Sequence, residues 1–480
     1  MLPHLHLMHL PPLLLARLRR RVAFGLGALL VAALVWLAWS HYTAPLPPPA
    51  EAGELVVATL VSPGLFMRET TDGDQPLESG ADHDLAAEFA KSLGLPARFI
   101  VAADAFELVE LVATGRAHMA MSLPIGNGEL TFSQPVRGSE PWLVGRDDAL
   151  EPGEPAALAA RPIEVVAGSP LADTLRGLGI DPPPQVIEVP EIDEMGLLAR
   201  VAAGRTPLAA VHDIHLDLAN NFYPQLKPLL RLPGRIELGW GFARHGGKPL
   251  VAQADEFIAR ARQDGLMARI DDRYFGHIKR VDNAGISRFL DDMRTRLPAF
   301  RRYFQAAQEL TGLDWRLIAA LAYQESHWDP LATSPTNVRG IMMLTEETAD
   351  HLGVKNRLDA AESIHAGARY LAELIDQLPG KAKPPDRLWL GLAAYNLGMG
   401  HLRGAQAIAR GMKRDPDSWY DMKQVLPQLA RPEIAARLKS GPARGGEAVI
   451  LADNVHTYYD ILSRFEPPYA TPFPRPLMQR

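Results

Sequence analysis

The chain contains no cysteine. That excludes disulfides, thiolate metal centres and a lipid attached through an N-terminal cysteine. Basic residues are not in surplus either: 50 Lys and Arg stand against 56 Asp and Glu, a formal charge of -6. A protein that tracks phosphates needs a basic excess or a strong basic patch, so no nucleic-acid partner is expected. One long uncharged apolar run stands out, Val22 to Trp39, behind Arg17, Arg19, Arg20 and Arg21. This layout predicts an export signal or membrane anchor over residues 1–40, with the arginines left on the cytoplasmic side. The run is long for a signal core and short for a span, while Ala38-Trp39-Ser40 suits cleavage; both fates stay open, with cleavage favoured. His4, His6 and His9 in this leader are read as incidental rather than as metal ligands.

What is present supports globular domains. The chain has 480 residues, 47% of them hydrophobic and 22% charged, enough for two or three domains with their own cores. Residues 41–53 read as an extended Pro/Ala linker, from Pro45 to Pro49 and the alanines beside them. Over residues 54–280 short β-like runs alternate with helical spacing. Leu55 to Thr59 reads as a strand and Asp84 to Leu93 as a helix; strand-like segments at Ala97 to Ala102, His118 to Leu123, Ile163 to Ala167 and Ala209 to His212 extend the pattern, which predicts α/β lobes with mostly parallel sheets. Phe289, Met293 and Leu297 keep helical spacing through residues 281–299, a helical connector. Residues 300–466 read as mainly α, with helical patterns at Trp389 to Tyr395, Leu402 to Ile408, Pro427 to Leu438 and Val449 to Leu462. Prolines make residues 467–480 an extended tail.

The chemistry points to one carboxylic acid. Asp314 is placed to cap a helix whose Leu317, Ile318, Leu321 and Ala322 recur at three- and four-residue spacing. Glu325 continues that face, and Pro330 is expected to end the helix. A glutamate on an apolar stripe solvates its charged form poorly, so its pKa should rise, as general acids require; lysozyme-type enzymes hold such a group near ~6. A helical glutamate alone is usually a solvated surface residue. Asp329 lies one turn on, where side chains sit roughly 5–6 Å apart, and reads either as a second carboxylate or as a turn residue before proline. His327 and Trp328 read as packing or groove residues.

Three segments carry a resemblance. Glu325-Ser326, Gly340-Ile341-Met342-Met343-Leu344 and Ala394-Tyr395-Asn396, in this order, resemble the motifs of the soluble-lytic-transglycosylase (SLT, goose-lysozyme-like) catalytic domain. Tyr274-Phe275-Gly276-His277, Gln324-Glu325-Ser326-His327-Trp328 and Arg444-Gly445-Gly446-Glu447-Ala448 resemble the branch called membrane-bound lytic murein transglycosylase F. The resemblance implies a helical lysozyme-like domain acting on peptidoglycan between N-acetylmuramic acid and N-acetylglucosamine. It makes Glu325 acid and then base, while the muramyl C6 hydroxyl attacks its own anomeric carbon and leaves a 1,6-anhydro end. By position it assigns Ser334 to the acetamido group, Tyr395 to the neighbourhood of the acid and Met342 to the groove wall. Where many relatives read Gly-Leu-Met-Gln, Met343 replaces an amide, and Asn337 stands where glycine is usual, which a left-handed turn tolerates. No cofactor and no metal ion are expected.

The region from Glu54 to Lys279 resembles the family 3 periplasmic solute-binding proteins, through its opening strand, Asp84-Leu85-Ala86-Ala87-Glu88-Phe89-Ala90, Gly115-Arg116-Ala117 and Phe132-Ser133-Gln134-Pro135. This implies two lobes closing on a small ligand, an amino acid or muropeptide, with Ser122 and Asp213 as ligand-contacting residues. The arginine that holds an α-carboxylate in that family is missing from Pro124 to Leu130, and Asp213 reads equally well as a loop aspartate at a strand end. The whole is thus expected to be an α/β two-lobed binding module followed by a mainly α catalytic domain, the first gating the second. It is placed in the periplasm, peripheral on the inner face of the outer membrane, or tethered to the inner membrane through residues 22–39. The competing classes are a pure sensor with an inert lysozyme-like partner and a hydrolase that uses Asp329.

Overall fold

The structure, a computed structural model, describes residues 45–470 apart from 70–76, 127, 148–160, 279, 383, 439 and 442. The leader lies outside the described residues, as does most of the tail. Among the described residues no helix is long and apolar enough to cross a membrane.

The first lobe is organised by β1 (Leu55–Thr59), every residue of which is buried. Side chains alternate across a strand. Leu55 and Val57 therefore join one core with Phe89, Trp240 and Phe257, while Val56 and Ala58 join another with Leu108, Val112 and Leu123. The helices supplying these covers are α1 (Ala81–Ser92) and α2 (Ala105–Ala113). β1 pairs in parallel with β2 (Ala97–Val101) and β3 (Met119–Pro124). Then come the short strands β4 (Leu130–Phe132) and β5 (Arg137–Ser139).

From β5 the chain crosses into a second sheet made of β6 (Pro141–Arg146), β7 (Ile163–Val166), β8 (Val186–Val189), β9 (Leu208–His212) and β10 (Leu226–Arg231), in the order β8-β7-β9-β6-β10. Helix α3 (Glu194–Ala202) precedes β9 and α4 (Asp213–Asn220) follows it. The chain then returns as β11 (Ile236–Ala243), which lies antiparallel to β3, β4 and β5. Two crossings, at 139–141 and 231–236, thus join the lobes. The sheets are mixed rather than mostly parallel, because the return strand enters the first sheet from the opposite direction and β6 enters the second antiparallel to β9 and β10.

Helices α5 (Lys248–Gln263) and α6 (Leu266–Phe275) close the first lobe, and α7 (Asn283–Thr295) forms the connector, capped by Asp282, which accepts from Gly285 N at 2.7 Å. Its buried Ile286, Phe289 and Met293 lie in one continuous apolar cluster with Val144 and Phe222 of the second lobe and Phe304 and Ile318 of the helical domain. The connector is therefore part of the core that seats the catalytic helix. Beyond it run α8 (Leu297–Thr311), α9 (Trp315–Ser326), α10 (Ala360–Asp376), α11 (Asp386–Leu397), α12 (Met399–Gly411), α13 (Trp419–Val425) and α14 (Gly445–Phe465).

Two local expectations change. Pro49–Ala52 coils into one helical turn closed by left-handed Gly53, so the linker is not wholly extended. The span Pro427 to Leu438 is not one helix: a 3-10 turn at Leu426–Ala430 and a short helix at Pro432–Ala435 flank extended Arg431, because Pro432 restrains the residue before it.

Candidate active site

Helix α9 is enclosed rather than one-sided. Every residue from Trp315 to Tyr323 is buried, Arg316 included, which makes α9 a central helix and not an amphipathic surface one. Asp314 caps it, accepting from Arg316 N at 2.8 Å and pairing with the Arg316 guanidinium at 2.6 Å. The cap therefore also solves the burial of an arginine.

The helix stops at Ser326, earlier than Pro330 would dictate. His327 and Trp328 both adopt left-handed conformations, φ 53° and 56°, and His327 N donates to Tyr323 O at 2.8 Å. The second of these is stabilised by packing: the Trp328 ring is buried against Phe289 and Tyr323, and its Nε1 donates to Ala319 O at 2.8 Å. Trp328 is thus a structural anchor, whereas His327 is exposed. Asp329 is exposed too, and its Oδ1 accepts from Leu331 N at 2.9 Å, the geometry of a turn residue.

Glu325 projects from the last turn, half-buried. Burial alone pushes its carboxyl up to about 8, with no charged group among the causes. At neutral pH it therefore carries its proton.

The remaining parts are fastened around this acid. Ser326 Oγ donates to Ile341 O at 2.8 Å, and Tyr395 Oη donates to Met342 O at 2.9 Å. One loop is thus tied to the acid's helix and to α11. Burial, and then the charge of Glu325, hold the Tyr395 phenol well above its usual range, which places this ring close to the acid. The loop turns at Gly340, φ 83°, where an added Cβ would lie 1.8 Å from Arg357 O. Only glycine fits there. Arg357 also donates to Leu344 O at 3.0 Å and Asn337 O at 2.7 Å, and Asn337 is left-handed with φ 64°.

The assignments within this loop separate. Met342 is not a groove-wall side chain: it is fully buried against Gly367, and only its carbonyl serves the site. Its neighbour Met343 is half-buried and left-handed, φ 48°, a conformation costly for an unbranched non-glycine residue. Ser334 is half-buried; its Oγ accepts from Val338 N at 3.1 Å and bonds Thr336 Oγ1 at 3.0 Å. It shapes the loop and leaves one hydroxyl hydrogen-bonding direction for another partner.

In the binding module, Ser122 is left-handed, φ 47°, and its hydroxyl donates to buried Asp82. Arg137, on β5, reaches Asp82 at 3.5 Å and also pairs with Asp271. A guanidinium from outside residues 124–130 thus meets the same Asp82 carboxyl that Ser122 bonds, a placement that only the fold reveals. Burial raises the Asp82 carboxyl, outweighing Arg137 and the Ser122 hydrogen bond. Asp213 is a separate group: its Oδ1 accepts from Ser139 Oγ at 2.6 Å and Ile214 N at 2.9 Å at the start of α4. Ser122 and Asp213 thus bond different partners. The lobes touch elsewhere, through Ser62 Oγ and His215 Nε2 at 3.1 Å and through the Phe106 ring, which leaves Gly168 no room for a Cβ. Buried Glu194 accepts from His212 Nδ1 at 2.6 Å and His215 Nδ1 at 2.7 Å. Burial opposes its ionisation, but the two histidines pull its pKa far below the usual range.

The fold and the site together define a class: a two-lobed solute-binding module fused to a helical domain with a half-buried acid at the end of its central helix. Family models agree. Residues 302–417 match the Transglycosylase SLT domain, and residues 63–277 match bacterial extracellular solute-binding proteins, family 3. The chain is 40% identical over 454 residues to the membrane-bound lytic murein transglycosylase F of Nitrosospira multiformis, covering 94% of this chain and 93% of that protein. It is 40% identical over 446 residues to the protein of the same name from Thiobacillus denitrificans, covering 91% and 93%, and 38% identical over 450 residues to that of Methylobacillus flagellatus, covering 92% and 94%. The chain belongs to the membrane-bound lytic murein transglycosylase F family.

Proposed function

We propose that this protein is a peptidoglycan lytic transglycosylase in which Glu325 protonates the departing sugar oxygen and then takes the proton of the muramyl C6 hydroxyl as that oxygen attacks the anomeric carbon. The observation that carries the mechanism is the state of Glu325: a carboxyl held to about 8 by burial alone, with no charged group among the described residues acting to ionise it. A hydrolase of the lysozyme type pairs such an acid with a second carboxylate flanking the sugar. The one nearby in sequence, Asp329, is exposed and occupied as a turn residue. An internal hydroxyl needs no second carboxylate, because the substrate itself delivers the nucleophile. The bond broken lies between N-acetylmuramic acid and N-acetylglucosamine, and the product ends in 1,6-anhydromuramic acid. Mass spectrometry of digests of purified wall separates the mechanisms. Anhydro ends are one water lighter than hydrolysed ends; exclusively hydrolysed ends contradict this reading.

The binding module supports regulation by a small wall-derived ligand. Its second lobe and the connector share the apolar cluster in which α9 sits, so a change in lobe closure has a packed route to the acid's helix. Turnover by the full chain that is the same with and without every ligand binding this module rejects the gating. The enzyme works in the periplasm, associated with a membrane through its N-terminal segment, either at the inner face of the outer membrane or tethered through residues 22–39. Fractionation of the tagged full chain separates the two placements.

A further inference from the structure

The Tyr274-Phe275-Gly276-His277 segment has no part in the acid site, yet it ends the binding module against the last helix of the catalytic domain. Tyr274 is used within its own module, donating to Asp84 at 2.9 Å. His277 is not: it is 2% exposed, and its Nε2 meets Asp460 Oδ2 of α14 at 2.7 Å. One turn back on the same helix face, His456 Nε2 lies 3.8 Å from the other oxygen of the same carboxylate. The two imidazoles are stacked with centroids 3.5 Å apart, and Trp389 of α11 covers the far face of His456 at 4.1 Å. One donor atom from each of the three residues lies within 4.8 Å of the other two.

We propose that His277, His456 and Asp460 form a binding site for a divalent transition-metal ion of the Zn2+ type, clamping the end of the binding module to α14. Zn2+ takes imidazole nitrogen and carboxylate oxygen at about 2.0–2.2 Å in tetrahedral array, which sets its donor atoms roughly 3.3 Å apart. The observed separations of 2.7 and 3.8 Å straddle that spacing. Binding requires both rings to turn their Nε2 atoms out of the stack. His456 and Asp460, 18% and 30% exposed, have room to move, and the opening beside them admits the ion and a water as fourth ligand, while His277, 2% exposed, must turn in place. The charge suits a cation, since two neutral imidazoles and one carboxylate carry -1. The neighbouring ammonium of Lys423 is tied to Asp272 at 2.6 Å, and Arg280 is paired with Asp453 at 2.9 Å.

The other His and carboxylate cluster, Glu194 with His212 and His215, is a poorer candidate. Glu194 already accepts three hydrogen bonds, from His212 Nδ1, His212 N and His215 Nδ1, which occupy both of its oxygens. It serves as the control.

The test uses the full chain with His4, His6 and His9 replaced by alanine, so that the leader contributes no ligands. The chelator-stripped protein is titrated with Zn2+ by calorimetry, and its thermal midpoint is followed at rising Zn2+. The site predicts one Zn2+ per chain and a midpoint that climbs with concentration, as binding to the folded state requires. Asp460→Asn and His456→Gln should each weaken binding at least by the ~10–100-fold that loss of even an outer-shell partner costs, while His212→Gln leaves it intact. Both test positions are partly exposed, and circular dichroism without Zn2+ reports their fold independently. A midpoint indifferent to Zn2+, or binding that survives Asp460→Asn and His456→Gln, overturns the site and leaves a hydrogen-bonded junction without metal.

Discussion

The acid site and the binding cleft treat buried carboxyls in opposite ways. In the cleft each acid has a partner: Asp82 has Ser122 and Arg137, Asp213 has Ser139, and Glu194 has two histidines. At the end of α9, Glu325 is shielded by its surroundings, and among the described residues no counter-charge acts on it. Pairing builds structure, and at Glu194 it also holds a charge in place; solitude at Glu325 holds a proton ready for transfer. The partners outweigh burial at Glu194, burial outweighs the partners at Asp82, and at Glu325 burial acts alone.

Breaking the solitary acid should have the largest effect. Glu325→Gln keeps the shape and removes the transferable proton, so wall clearing should fall by roughly 10²–10⁴-fold, the usual share of general acid–base catalysis. In the wild type, clearing should decline as pH rises through about 8, where the carboxyl ionises. Stability follows the same sign. The folded-state pKa lies above the unfolded value, so the wild type loses stability relative to Glu325→Gln as pH climbs from the unfolded pKa toward 8, and the difference then levels off. Denaturant midpoints of the two proteins across that range check it.

Breaking a pair should cost stability instead. Arg137→Met leaves Asp82 and Asp271 without their cation and should destabilise the binding module by about 3 kcal/mol, read from denaturant unfolding, while basal wall clearing is little changed. A collapse of basal clearing with an intact fold would mean that the two regions are not separable in this way. Tyr395→Phe removes the hydrogen bond to Met342 O and should cost about 1 kcal/mol with a lowered turnover number. Asp329→Asn should be the mildest change, within about 0.5 kcal/mol in stability and unchanged in clearing rate. A large loss of rate there would restore a second carboxylate and with it the hydrolase.

The same contrast explains what could be seen in the chain beforehand. Spacing showed α9, its Asp314 cap and Glu325 near its end, because helical periodicity and capping are local. The strand starts at Leu55, Ala97 and Ile163 were legible for the same reason, and the one read from Ala209 begins a residue earlier, at Leu208. What was hidden depends on distant chain. The helix stop looked like the work of Pro330, but it belongs to His327 and Trp328, held left-handed by an indole buried against Phe289. Met342 reads as a groove-wall residue in sequence, and its burial against Gly367 of a distant helix is what turns it inward. Arg137 lies outside residues 124–130, and β5 brings it to the Asp82 carboxyl that Ser122 also bonds. The antiparallel return of β11 follows from a double crossing between lobes that no local pattern encodes.

Isotope-edited infrared spectroscopy of the full chain, with Glu325→Gln as the reference that identifies the signal, tests the solitary acid most directly. The account predicts a protonated-carboxyl band at pH 7 that is absent from the variant and titrates away near 8. A Glu325 signal already ionised at pH 5 would contradict it.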